Sequence, residues 1–374
     1  MLFDAVILLA AFLTILLGAE LFTNGIEWFG HRLNLAEGAV GSVLAAVATA
    51  MPETLIPVIA IVGPTIFGGG SPNSAEIGVG AILGAPFMLS TLAMFVTGTA
   101  IVIFARNGRR GTQMSINVRV LGRDVIFFVV AYAVAIGSAF LPADLHLGRW
   151  AVAAGLVVVY AVYVRAHFTD AAEEGDSADL NQLHLSRLAG RLPGRALEID
   201  VMPEEDDGHE HDGPVPRLRI IVTQVLAALA LIIIGAQVFV GAVEHLSSTI
   251  GLDPRILALV IAPIATELPE KFNSVIWVRS GKDTLAMGNI SGAMVFQSCL
   301  PTVLGILFTE WTFKASSALA FASAGAAFVS TILIFGVMLR RGRLSAWSLL
   351  IGGPIYLAYV AAALLLPAGA GVAH

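Results

Sequence analysis

Two short segments of this sequence place a threonine, a proline and a glutamate at the same spacing. They occupy residues 49–53 (TAMPE) and 266–270 (TELPE), both within apolar stretches. Residues four apart lie on one face of a helix, so the threonine and the glutamate of each segment are neighbours. A proline inside a helix also leaves the carbonyl four residues earlier without its donor. Each segment therefore groups a hydroxyl, a carboxylate and a freed carbonyl.

These groups are hard oxygen ligands, which suit Na⁺, Ca²⁺ or Mg²⁺ better than soft metals. The freed carbonyls belong to Ala48 and Ala265, and the acids are Glu53 and Glu270. A charged side chain at the centre of a bilayer costs about 2.5–3.5 kcal/mol on insertion scales. We therefore expect each acid to be offset by a bound cation or by a proton. The alternative is a buried glutamate paired with a neighbouring donor, for which Lys271 is available.

The two segments belong to an internal duplication with an offset of 217 residues. Without a gap, 13 of the 43 positions from 18 to 60 are identical to those from 235 to 277. A second matching block follows, with GAILGA at residues 80–85 and GNISGA at residues 288–293. Its glycines have the small-xxx-small spacing that lets helices approach closely. A duplicated membrane chain with interrupted helices and acids is typical of secondary transporters.

Composition places the chain in a membrane. Hydrophobic residues make up 57% of the 374, only 13% are charged, and the mean hydropathy is +0.85. A soluble protein carries about 25% charged residues. The apolar residues form ten runs of roughly bilayer-spanning length, and lipid-exposed backbone favours helix. The predicted spans are residues 3–22, 39–63, 79–104, 125–142, 149–166, 219–243, 255–277, 285–308, 316–338 and 346–367. We predict an all-α membrane protein with ten transmembrane helices arranged as two inverted five-helix repeats.

The distribution of basic residues predicts the orientation. With the N-terminus outside, 17 of the 21 lysines and arginines fall in cytoplasmic loops, as the positive-inside rule requires. Both termini are then outside, and five spans per half invert the second copy. We expect an integral protein of a prokaryotic inner (plasma) membrane. Glu20, Glu27 and Glu244 lie near helix ends and are expected to be solvated or to act as caps.

The chain divides into a first half (1–167), an acidic cytoplasmic linker (168–216) and a second half (217–374). Thirteen of the 27 acidic residues lie between Asp170 and Asp212, and dense like charge predicts a solvated tether. Carboxylates beside His209 and His211 could alternatively bind a divalent ion.

The TxxPE block followed by GxxxGA, once in each inverted half, resembles the α-repeats of the Ca²⁺:cation antiporter superfamily, and most closely the sodium/calcium exchanger type. The resemblance implies a secondary active antiporter that exchanges a divalent cation, Ca²⁺ first, by alternating access. It implies a central site formed by the second, third, seventh and eighth helices. Glu53 and Glu270 would be paired Ca²⁺ ligands, assisted by oxygens of Thr49 and Thr266. The first and sixth helices would slide past the four-helix core.

Several positions depart from the family pattern. The serine that precedes Leu-Pro-Glu is replaced by Ala50 in one copy and Glu267 in the other. In the second block both serines are alanines, and the later polar position holds Leu89 or Gln297; Asn289 is retained. Ligands expected for Na⁺ are thus largely missing from the third helix, while the seventh helix gains Glu267. Glu267 and Glu270, three apart, share a helix face and repel, so one should hold a proton unless a cation lies between them.

These departures favour H⁺ as the counter-ion, with Na⁺ as the alternative. The candidate ligands are Glu53, Glu270, Glu267, Thr49, Thr266, Gln297, Asn289, Ala48 and Ala265. Inorganic cations and the lipid bilayer are the expected partners; no cofactor and no nucleic acid is expected, and the oligomeric state stays open. No nucleotide loop, HExxH or serine-centred motif occurs, so we do not expect an enzyme. A channel or an ion-regulated membrane scaffold with degenerate repeats is the rival interpretation.

Overall fold

The computed structural model of the chain describes residues 2–33, 35, 37–50, 54, 57–58, 61–62, 74–142, 145–170, 183–185, 216–250, 267–314 and 317–365. These residues are almost entirely helical. The helices of the first half are α1 (Leu2–Arg32), α2 (Glu37–Ala39), a π-helix (Val40–Ala45), α3 (Ala46–Thr49), α4 (Ser74–Met88), a second π-helix (Leu89–Ala93), α5 (Met94–Arg106), α6 (Val118–Gly137), a 3₁₀ turn (Ser138–Phe140) and α7 (His146–Asp170). Those of the second half are α8 (Leu218–Ile250), α9 (Leu268–Arg279), α10 (Asp283–Phe308), α11 (Ala318–Arg341), α12 (Ala346–Leu349) and α13 (Gly352–Leu365). Two short antiparallel strands, β1 (Gln113–Met114) and β2 (Leu344–Ser345), pair between the halves.

Eight helical stretches among the described residues are long and apolar enough to cross a membrane. They match eight of the ten predicted spans. The other two predicted spans correspond to the shorter helices Val40–Thr49 and α9, whose neighbouring residues 51–53 and 251–266 lie outside the described part of the chain. The prediction of an all-helical membrane protein is confirmed.

Helix α10 forms the centre of the bundle. In the most apolar segment of α10, 78% of the residues are buried, whereas in that of α7 only 17% are buried. It packs against α4, α6, α7, α9 and the first π-helix. Glycine, alanine and serine recur on every side of α10, and small residues allow neighbouring backbones to approach closely. A helix surrounded in this way can carry polar side chains into the middle of the protein without exposing them to lipid.

The inverted repeat is visible in the contact between α1 and α8. A Cβ atom added to Gly18 would lie 2.8 Å from Cγ1 of Ile232, and one added to Gly235 would lie 2.9 Å from Cγ1 of Ile15. The 217-residue offset maps Gly18 onto Gly235 and Ile15 onto Ile232. Each contact therefore has its symmetry-related copy, as at a two-fold interface. The register also runs in opposite directions along the two helices, so α1 and α8 are antiparallel.

Residues 183–185 of the linker pack against α1 and α8. Leu183 is buried beside Trp28. The backbone N–H of His184 donates to Asn24 Oδ1 at 3.0 Å, and that of the next residue donates to Gln224 Oε1 at 2.8 Å. The prediction of a solvated tether is therefore wrong for these three residues, because two helices offer them an apolar contact and two side-chain acceptors. The predicted His209–His211 cluster lies outside the described residues.

Candidate ion-binding site

Proline determines where the helices near the candidate site begin and end. Helix α3 ends at Thr49, before Pro52, and residues preceding a proline are biased away from helix. Helix α9 begins at Leu268 with Pro269 in its first turn, where a missing N–H is tolerated. Glu270 lies in the same first turn and is 1% exposed. The partial positive charge of a helix N-terminus favours a carboxylate at this position.

Three predicted ligands from both halves of the chain meet at this point. Thr49 is fully buried, and its Oγ1 lies 3.1 Å from Asn289 Oδ1 and 3.0 Å from the carbonyl of Ala45. The amide of Asn289 donates to the backbone carbonyl of Glu270 at 3.5 Å. A chain of contacts thus runs from α3 through α10 to α9. It brings a hydroxyl, an amide oxygen and a carboxyl-bearing residue together.

Two glycines allow α10 to reach the first π-helix. A Cβ atom on Gly288 would lie 2.8 Å from Ser42 Oγ, and one on Gly292 would overlap the backbone carbonyl of Ser42. Only glycine permits this approach of two backbones. The small-xxx-small spacing of the second repeat block therefore has a definite role. It holds α10, which carries Asn289, against the segment that leads to Thr49.

Glu267 is paired with Lys271. The ammonium Nζ lies 2.8 Å from Glu267 Oε2 and 3.3 Å from its backbone carbonyl, and both residues are buried. Glutamate followed by lysine four residues later is a favourable helical pair. The expected repulsion between Glu267 and Glu270 is therefore offset by the ammonium group of Lys271. The sequence left a pairing with Lys271 open for Glu270, whereas the described ion pair of Lys271 is with Glu267.

Two amide side chains complete the described surroundings. Gln297 is buried, and its Nε2 donates to Thr54 Oγ1 at 3.4 Å. Asn273 is fully buried, and neither of its side-chain polar atoms has a hydrogen-bond partner among the described residues. An unsatisfied buried amide costs about 1–3 kcal/mol, which a coordinated cation would offset. Sequence reasoning missed Asn273, although its position three residues after Glu270 places it on the same helix face.

Three predicted ligands, Glu53, Ala265 and Thr266, lie outside the described residues. Ala48 is half-buried in α3, directly before Thr49.

Glu27 ties α1 to the start of α10. It accepts a hydrogen bond from Trp277 Nε1 at 2.8 Å and forms an ion pair with Lys282. Its side chain is 11% exposed. The prediction that this residue is solvated or a cap is therefore wrong, because two donors from the second half of the chain enclose it. Glu20, by contrast, is more than half exposed.

Asp124 is another buried acid, and sequence reasoning missed it. It accepts hydrogen bonds from Ser42 Oγ at 2.8 Å and Ser291 Oγ at 2.6 Å. Its position one residue before the predicted fourth span suggested a loop. It is an interior residue because α7, α10 and the first π-helix pack around it. The sequence signal that could have indicated this buried acid was its position next to the boundary of a predicted span.

Comparison with known proteins agrees with this architecture. The family model described as sodium/calcium exchanger protein matches residues 3–168 and 220–365. Over 93 residues the chain is 36% identical to CaxA of Alkalimonas amylolytica, a protein whose name provisionally assigns it as an antiporter. This match spans 25% of the chain and only 28% of CaxA.

The fold is also similar to solved structures of the sodium-calcium exchanger NCX_Mj. For NCX_Mj soaked with 2.5 mM Na⁺ and 0.1 mM Ca²⁺ the TM-score is 0.68 at 13% identity, covering 96% of this chain and 98% of that one. For NCX_Mj soaked with 10 mM Na⁺ and 10 mM Sr²⁺ the TM-score is also 0.68, at 14% identity and with coverage of 96% and 97%. The similarity extends over both five-helix halves.

Proposed function

This chain belongs to the sodium/calcium exchanger protein family, and from that premise we propose that it exchanges Ca²⁺ for protons across a membrane by alternating access. Membership of a family of membrane cation antiporters agrees with the prediction of a transporter rather than an enzyme. The choice of ions and the residues that bind them rest on the site itself.

The contact of Thr49 with Asn289 and of Asn289 with Glu270 carries the proposal. These residues are fully or almost fully buried, so a cation held among them would be enclosed by both halves of the chain. A channel needs a continuous water-filled path, whereas an enclosed site shared by inverted repeats suits alternating access. This favours a carrier over the rival channel or scaffold.

Charge counting favours a divalent cation. Glu53, Glu267 and Glu270 supply three negative charges, and Lys271 compensates that of Glu267. Glu53 and Glu270 are the two acids that recur at one register of the repeats, and the charge of one Ca²⁺ or of two protons matches that of the two carboxylates. Na⁺ is the less favoured counter-ion because Ala50, Ala85, Leu89 and Ala293 offer no side-chain oxygen where family members place polar residues.

We assign Glu53 and Glu270 as the charged ligands of Ca²⁺, with oxygens of Thr49, Asn289 and Asn273 completing the shell. The further candidates are Glu267, Thr266, Gln297 and the carbonyls of Ala48 and Ala265. Hard oxygen donors of this kind, six to eight in number, are what Ca²⁺ prefers.

We also propose the orientation. Both termini lie outside and the linker (168–216) lies in the cytoplasm of a prokaryotic cell, so that the basic loops face inward. Each half, 1–167 and 217–374, then forms one inverted repeat unit.

Flux measurements in proteoliposomes would test the function. Purified protein should move Ca²⁺ against its gradient when a proton gradient is imposed in the absence of Na⁺, and Glu270→Gln should abolish this flux. Movement that requires a Na⁺ gradient and ignores pH would overturn the choice of protons. Single-channel currents in a bilayer recording would overturn the carrier assignment.

A further inference from the structure

Asp124 lies in a buried polar cluster where α6, α7, α10 and the first π-helix meet. In addition to the two serine hydroxyls on Oδ2, Tyr163 Oη lies 3.0 Å from Oδ1. His167 Nε2 also lies 3.0 Å from Oδ1, and both side chains of this pair are at most 1% exposed. A carboxylate in such surroundings requires a compensating charge or a proton.

The ring of His167 lies between the carbonyl of Tyr163 and the carboxylate of Asp124. Its Nδ1 lies 3.0 Å from the carbonyl of Tyr163, which can only accept, so Nδ1 carries a hydrogen. In a neutral ring Nε2, which lies 3.0 Å from a carboxylate oxygen, would then carry no hydrogen. Nε2 has no aligned hydrogen-bond partner, so charge attraction rather than a directed hydrogen bond explains the contact. An imidazolium beside a carboxylate, or a neutral ring beside a carboxylic acid, leaves no uncompensated charge at this buried position.

Two hydroxyl groups of the cluster each lie within hydrogen-bonding distance of two acceptors. Ser291 Oγ lies 2.6 Å from Asp124 Oδ2 and 2.9 Å from the carbonyl of Met287. Tyr163 Oη lies 3.0 Å from Oδ1 and 3.0 Å from the carbonyl of Ser42. Each hydroxyl has one hydrogen for two acceptors. A protonated Asp124 donates to one of them and frees that hydroxyl to bond the backbone carbonyl.

Among the described residues, Asp124 forms no ion pair other than that with His167. On α6, the Arg123 guanidinium donates to the carbonyl of Ala166 at 2.8 Å. On α10, Asp283 is paired with Arg110 at 2.6 Å. On α7, Tyr160 stacks at 5.9 Å on the ring of Tyr163, the other titratable group in contact with Asp124. Within 4 Å of the carboxylate, His167 is the only described side chain that can carry a positive charge.

The cluster shares two helices with the surroundings of the central site. Ser42 belongs to the π-helix against which Gly288 and Gly292 pack, and Ser291 lies on α10 two residues after Asn289. Asp124 bonds both serines and so joins α10, which carries Asn289, to the π-helix that leads to Thr49. We propose that Asp124 and His167 together bind one proton at a site separate from the central ion site, and that this proton sets the packing of the first π-helix on α10.

Nuclear magnetic resonance would test proton binding without reference to transport. The chain contains eight histidines, and the ¹⁵N signals of His167 are identified by their loss in His167→Gln. We expect the ring to be doubly protonated, or Asp124 to show the infrared band of a carboxylic acid that is absent in Asp124→Asn. His167 and Asp124 should change protonation in one shared step. A neutral ring beside an ionised Asp124 throughout the pH range over which the protein stays folded would overturn the proposal.

Transport would test the coupling. Asp124→Asn and His167→Gln should each remove one step from the pH profile of Ca²⁺ flux while leaving the number of bound Ca²⁺ ions unchanged. His146→Gln, an exposed histidine at the start of the same helix, should leave the profile unaltered. Tyr163→Phe serves as a milder variant if either substitution prevents folding, and should shift the same step. An unaltered profile in correctly folded variants of the pair would contradict the coupling.

Discussion

Thr49 and Asn289 lie 240 positions apart in the sequence and are joined by a hydrogen bond of 3.1 Å between their side chains. The bond connects the end of α3 in the first half with the most buried helix of the second half. Asn289 continues the connection to Glu270 through its amide. A cation held here therefore contacts both inverted repeats at once, and a change in either repeat should alter its binding.

Replacing Thr49 by valine should weaken Ca²⁺ binding and leave the fold intact. Valine keeps the shape and removes the hydroxyl bonded to Asn289; one such bond contributes about 0.5–1.5 kcal/mol, so the apparent Kd should rise roughly 2–10-fold. Thr14→Val is a matched control, because Thr14 also bonds the carbonyl four residues earlier but is exposed on α1. Equal effects of the two substitutions on Kd would contradict a role for Thr49 in the site.

Lys271→Met should destabilise the protein strongly, whereas the double variant Glu267→Gln/Lys271→Met should recover most of the loss. Removing one partner of a buried ion pair leaves an uncompensated charge, at a cost of about 3–5 kcal/mol. Thermal unfolding of Lys271→Met, of Glu267→Gln and of the double variant gives the coupling energy between residues 267 and 271. Additive losses would show that the 2.8 Å pair contributes nothing specific.

Gly292→Ala should abolish Ca²⁺ flux by separating α10 from the first π-helix. The added methyl group would overlap the backbone carbonyl of Ser42, which cannot move as a side chain can. Gly325→Ala on α11 meets no atom within 4 Å. It should preserve flux and add up to about 1 kcal/mol of stability, since alanine favours helix over glycine. Full activity of Gly292→Ala would mean that the close crossing is not required.

Glu27→Gln should shift the protein away from the conformation described here. If α1 slides past the core during transport, its bonds to Trp277 and Lys282 must break. Spin labels at Leu9 on α1 and Leu333 on α11, both exposed, would report the distance distribution. We expect a second population to grow in Glu27→Gln. The exposed pair Glu310–Lys314 supplies the control, since Glu310→Gln should change nothing. Identical distance distributions in the unsubstituted protein, in Glu27→Gln and in Glu310→Gln would show that Glu27 does not restrain α1.

The sequence was sufficient to predict the spans and their duplication. Hydrocarbon thickness fixes the length of a crossing helix, and positions such as Gly18 and Gly235 share an offset that reappears as paired contacts. The meeting of Thr49, Asn289 and Glu270 was also predictable, because threonine and glutamate recur at one register of each repeat and Asn289 is retained from the family pattern. These features depend on local spacing and on symmetry.

Other features depend on packing that no spacing reveals. Glu267 has Glu270 and Lys271 within one helical turn, and only the side-chain arrangement decides which it contacts. Asp124 becomes an interior residue because serines from two distant segments close around it. Leu183 is held by α1 and α8 together, which are separate in the sequence. In each case a partner far along the chain determines the outcome.

Equilibrium binding of radioactive Ca²⁺ to the purified protein would test most directly whether both repeats share one divalent cation. The account predicts one Ca²⁺ per chain, and it predicts that Glu53→Gln and Glu270→Gln each remove binding completely in a folded protein. Two ions per chain, with each substitution removing only one of them, would contradict it.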